Sequence, residues 1–185
     1  LGDGLFGKLM VETPEATMNL YVAATDVLIQ LHKIASLKLA VCDTDWLVDA
    51  SQLVFDWYAS DDSASATFNT LFRPLAQRLD DVPRVVILRD YHAENLLWLP
   101  DRDGIAQVGL LDFQDALLGH PAYDLVSILQ DARRDVTPDI QTAMIARYID
   151  KSGTNAEDFN SAFALLGVQR NLRILGIFAR LCLRD

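Results

Sequence analysis

Apolar positions recur along the chain with two different periods, and the change of period divides it into three parts. Phe68, Leu71, Phe72, Leu75 and Leu79 fall at helical spacing and predict one helix with a single apolar stripe. Leu47, Ala50, Val54 and Trp57 predict another, capped by Thr44 and ended by Asp61-Asp62-Ser63. Thr13-Pro14-Glu15 combines a capping hydroxyl, an N-terminal proline and an early acid, which predicts a helix from there to about His32. Residues 33–39 read as a connector.

The period then shortens. Val85-Val86-Ile87-Leu88 is β-branched and almost wholly apolar, as a buried strand reads. Residues 89–95 are polar and loop-like. Strands over 96–99 and 105–111 are predicted to form a hairpin through Pro100-Asp101-Arg102-Asp103-Gly104. Beyond Gly119 the helical period returns, with helices over 121–134, 138–149 and 155–183, and Gly167 is a candidate break in the last. The fold class is therefore α+β and mainly helical, with a small β insert carrying polar loops.

Composition narrows the function classes. Sixteen Lys and Arg against 26 Asp and Glu leave a charge of −10, and no Lys/Arg run is present, which argues against a nucleic-acid partner. No apolar run near the ~18 residues of a spanning helix is evident, so no membrane partner is expected. Cys42 and Cys182 are too few for a disulfide framework and lack metal-ligand spacing, so a reducing cytoplasm is the expected compartment.

The loop after the first strand carries the candidate chemistry. Asp90 follows the strand, Asn95 lies five residues on, and Asp112 ends the third strand. Two carboxylates and an amide oxygen suit Mg²⁺ with bound phosphate, and one acid can serve as base for an attacking hydroxyl. The spacing alone is weak, since Asp150 and Asn155 repeat it across a helix–helix turn. The buried strand before it and the hairpin after it lift the first pair above Asx turns and caps.

These residues carry a resemblance. Leu88-Arg89-Asp90-Tyr91-His92-Ala93-Glu94-Asn95-Leu96, Leu111-Asp112-Phe113-Gln114-Asp115 and Gly119-His120-Pro121-Ala122-Tyr123-Asp124-Leu125 resemble the aminoglycoside phosphotransferase family. That family shares the protein-kinase-like fold. The segment from Gln169 to Arg180 is similar to its branch of bacterial cell-wall amino-sugar kinases, which phosphorylate N-acetylmuramate and N-acetylglucosamine.

The resemblance implies a kinase-like C-terminal lobe over residues 13–185, with residues 1–12 as inter-lobe connector and a nucleotide lobe outside this chain. It implies Asp90 as catalytic base, Asn95 and Asp112 as metal ligands, Mg²⁺ as cofactor and ATP as phosphate donor. Arg89 and Asp124 become bracing residues of the loop. Leu88 departs from the family, which usually has His there, and His92 is read as solvent-facing, with a compensating part as the alternative. The start of the chain, through Gly7, matches G-x-G-x-x-G but is followed by helices rather than a βαβ unit, so it reads as connector.

Four further residues are candidates on the acceptor side. Gln114 and Asp115 follow the metal acid, with helix capping an equal reading for Asp115. Arg170 and Arg173 lie on the last helix, where Arg173 and Arg180 share a face and suit a substrate carboxylate; surface pairing is the plainer reading. Trp46, Trp57 and Tyr58 read as packing, and Arg133-Arg134 as solvated surface. The expectation is a phosphotransferase acting on a hydroxyl of an amino sugar or aminoglycoside-like small molecule. A kinase-like binding module without activity is the alternative.

Overall fold

The computed structural model describes residues 4–34 and 38–184. The start of the glycine motif, residues 1–3, and the middle of the predicted connector, residues 35–37, lie outside the described residues. The helices are α1 (Phe6–Glu12), α2 (Thr17–Leu31), α3 (Thr44–Val54), α4 (Asp62–Gln77), α5 (Ala122–Leu129), α6 (Pro138–Ser152) and α7 (Ala156–Arg184). The strands are β1 (Val85–Ile87), β2 (Leu96–Trp98), β3 (Val108–Leu110) and β4 (Leu117–Gly119).

Helix starts follow local chemistry, with two corrections. Pro14–Ala16 forms a 3₁₀ turn, so α2 begins at Thr17 and Thr13 makes no side-chain cap. Asp43, rather than Thr44, caps α3 by accepting the Trp46 N–H at 3.0 Å, because the Thr44 hydroxyl donates to Asp80 at 2.7 Å. The cluster read as the end of α3 instead starts α4. Asp61 accepts the N–H groups of Ser63 and Ala64 at 2.9 and 3.0 Å, and a π-helical turn, Phe55–Ala59, ends the preceding helix.

The predicted stripe of α4 is only partly buried. Phe72 and Leu79 enter the core, but Leu71 and Leu75 are exposed. α5 stops at Leu129, well before Arg134, and α7 runs unbroken through Gly167. Gly176 permits the close approach of α7 to α3, since a Cβ there would lie 2.3 Å from the Leu53 carbonyl carbon. α7 is also long and apolar enough, by length and composition alone, to cross a membrane. It packs against α3 and α5 and buries Gln169 and Arg170 among the helices.

β2 and β3 form the predicted antiparallel hairpin, pairing Leu96 with Leu110 and Trp98 with Val108. Residues 104–107 form a 3₁₀ turn rather than strand, with Ile105 exposed. β4 was not foreseen, because Leu-Leu-Gly is too short a run to show a period. It pairs antiparallel with β1, Val85 against Gly119 and Ile87 against Leu117. This pairing sets the end of β1 against the start of β4, and the residue after β1, Leu88, reaches the first turn of α5 by donating its backbone N–H to Asp124.

Candidate active site

Leu88 leaves β1 buried, and the chain turns sharply at Arg89, whose φ is +70°. A non-glycine residue in that region is costly unless its surroundings hold it. Asp124, fully buried in the first turn of α5, does so. Its two oxygens accept the backbone N–H of Leu88 at 2.6 Å and of Arg89 at 2.9 Å. Ser127, one turn on, donates its hydroxyl to the Arg89 carbonyl at 3.2 Å. The loop is thus gripped through its backbone, with no histidine at position 88.

The next hydrogen bonds join the three oxygen-bearing candidates. The Asn95 amide nitrogen donates to the Asp90 carbonyl at 2.9 Å, while among the described residues its Oδ1 accepts no bond. The Asn95 carbonyl accepts the Leu111 N–H at 2.9 Å, so β3 is registered on the loop at the residue before Asp112. Asp112 is exposed, has φ +54°, and accepts a hydrogen bond from Gln114. Among the described residues, no three His, Cys, Asp or Glu side chains converge as a metal cluster.

Charge is arranged unevenly around this loop. Burial pushes the Asp124 carboxyl up to about 7, opposed by the two backbone N–H groups and by the Arg170 charge. Burial likewise pulls the Arg170 guanidinium down from its ordinary value. Arg170 is only 2% exposed, and its Nε and Nη1 have no hydrogen-bond partner, so the surface-pairing reading fails for it. His92 is also buried rather than solvent-facing, with Nε2 3.4 Å from the Asn95 amide nitrogen and burial lowering its pKa.

Trp46 lies half-buried beside the loop, edge-on to Tyr123 at 6.2 Å between ring centroids. The Arg89 guanidinium lies 5.5 Å from its ring centroid and that of Arg173 5.9 Å. Arg89 also donates to the Asp115 carbonyl at 3.3 Å and approaches its carboxylate at 3.8 Å. Asp115 caps no helix, because β4 follows it. Arg180 makes no ring contact or ion pair with the described residues around Trp46.

One strut escaped the sequence reading. Arg134, taken as solvated, is largely buried and bonds Glu94 of the loop at 2.5 Å and the buried Asp131 at 3.2 Å. Its Nη1 also reaches the Gly7 carbonyl at 3.5 Å, tying α1 to the loop. Only the Asp131-x-x-Arg134 spacing hinted at it.

An N-acetylmuramate/N-acetylglucosamine kinase of Caulobacter vibrioides is 38% identical over 202 residues, covering 100% of this chain and 55% of that protein. The enzyme of the same name from Pseudomonas aeruginosa is 33% identical, covering 90% of this chain and 52% of its own. The chain thus spans about half the length of these relatives. Among solved structures, an aminoglycoside-3'-phosphotransferase of type VIII superposes with a TM-score of 0.60 at 18% identity, covering 85% of this chain and 62% of that one. A choline kinase from Streptococcus pneumoniae gives 0.65 at 14%, covering 89% and 56%. These two share the fold, that of protein-kinase-like phosphotransferases. Residues 5–160 match the phosphotransferase enzyme family (APH), and the chain belongs to that family.

Proposed function

We propose that residues 13–185 are the C-terminal lobe of a small-molecule kinase, joined through residues 1–12 to a nucleotide-binding lobe. The reaction is transfer of the γ-phosphate of ATP to a hydroxyl of an amino sugar. The observation that supports this reading is the hydrogen-bonded run from Asp90 through Asn95 to Leu111, which ties the loop bearing Asp90 and Asn95 to the residue before Asp112. Family membership and the names of the relatives support it.

In this reading Asp90 accepts the proton of the acceptor hydroxyl as that oxygen bonds to phosphorus and the bond to the ADP oxygen breaks. The Asn95 Oδ1, whose partner nitrogen is tied to the Asp90 carbonyl, and the exposed Asp112 carboxylate would be the metal ligands. This hard-oxygen pair fits Mg²⁺, which takes few protein ligands and completes its shell with water and phosphate. Bound Mg²⁺ supplies charge neutralisation of the phosphates. Arg89 and Asp124 hold the turn, and Gln114, Asp115, Arg170 and Arg173 border the acceptor. A nucleotide donor and two unpaired cysteines fit the cytoplasm.

The test is ADP release by the full-length protein with Mg²⁺-ATP over N-acetylmuramate, N-acetylglucosamine and several aminoglycosides. Acceptor-dependent release with an amino sugar is expected. Nucleotide binding without release for any acceptor would instead favour an inactive binding module.

A further inference from the structure

Three guanidinium groups gather beside the loop of a chain that is acidic as a whole. Net charge is −10, yet Arg89, Arg170 and Arg173 gather around Trp46 and Tyr123. Asp90, Asp112, Asp115 and Asp124 are the carboxylates of the same region. Three of them are engaged: Asp124 by the loop backbone, Asp115 by Arg89, and Asp112 by Gln114. Arg173 forms no ion pair with any described carboxylate.

Arg170 adds an independent observation. It lies three residues before Arg173, hence on the same side of α7, and its buried Nε and Nη1 have no partner. A buried, unpaired guanidinium is expensive to keep. It raises the local positive potential at Arg173, where Trp46 holds the guanidinium in place.

We propose that Arg173, supported by Arg170 and Trp46, receives a carboxylate carried by the acceptor sugar. This rests on the kinase reading and deepens it: among amino-sugar acceptors, Arg173 sets a preference for one that carries a carboxylate. A guanidinium can grip a carboxylate through two parallel N–H donors. A neutral sugar with the same ring binds through its hydroxyls and amide alone.

The test is calorimetric binding of N-acetylmuramate and N-acetylglucosamine to the full-length protein with a non-hydrolysable ATP analogue. The two sugars share a ring, and only the first carries a carboxylate. The wild type is expected to bind the carboxylated sugar at least about 5-fold more tightly. Arg173→Gln should weaken that sugar by about 10-fold and the neutral one by less than about 3-fold, with Arg173→Lys intermediate. Equal losses for both sugars, no preference in the wild type, tighter binding of an aminoglycoside, or no sugar binding would each overturn the proposal. The readout is binding, so the expected pattern without ADP release would sink the kinase reading and leave this one standing.

Discussion

Asp124 accepts the backbone N–H of Arg89 at 2.9 Å across 35 residues of sequence, and this bond holds the left-handed residue that aims Asp90. The carboxylate is fully buried, with its value pushed up to about 7. In the unfolded chain an Asp titrates near 4. The folded protein therefore holds this proton more tightly, and the stability it contributes is complete below about pH 4 and lost as pH rises through 7. The stability difference between wild type and Asp124→Asn should fall from pH 4 to 7 and then level off. Urea unfolding at several pH values measures it, and a difference that is constant or rises would refute the assignment.

Arg170 lowers the Asp124 value by its charge, so its removal has a defined consequence. In an Arg170→Met background, the same comparison with and without Asp124→Asn should keep falling above pH 7. An unchanged window would show that the two groups do not interact.

Arg134 bonds both Glu94 and Asp131, and the Asp131 side chain is only 1% exposed. Arg134→Ala leaves that carboxylate with the backbone N–H of Arg133 and a distant guanidinium at 3.8 Å. A loss of about 2–3 kcal/mol is expected in denaturant unfolding, below that of a fully buried pair because the Arg134 side chain stays 16% exposed. A loss below about 0.5 kcal/mol would mark the contact as an ordinary surface pair.

Gly176→Ala tests the packing that sets α7 against α3. The added Cβ would meet backbone atoms of Leu53 and Val54 at 2.3–2.5 Å, and backbone cannot rotate away as a side chain can. Thermal unfolding should show a loss of about 1–3 kcal/mol despite the better helix propensity of alanine. A neutral or raised melting temperature would contradict the close approach.

The division into helices, β insert and helices was legible because long periodic stretches and the buried run at Val85 dominate their surroundings. Asp90, Asn95 and Asp112 stand out as candidates from local context, and hydrogen bonds join Asp90 to Asn95 and Asn95 to the residue before Asp112. What stayed hidden depends on long-range contact. Leu117–Gly119 becomes a strand only because Val85–Ile87 lies beside it. Arg134 and Arg170 look like surface arginines by residue type, and tertiary packing alone buries them. Asp43 displaces Thr44 as a cap because Asp80, distant in sequence, occupies the threonine hydroxyl.

The central claim is that Asp90 takes the proton of the acceptor hydroxyl. Single-turnover phosphate transfer should be measured in the full-length protein and in Asp90→Asn, beside Mg²⁺-nucleotide affinity in both. The account predicts a fall in transfer of about 10³-fold or more with nucleotide affinity within about 3-fold of wild type. Transfer at the wild-type rate in Asp90→Asn would contradict it.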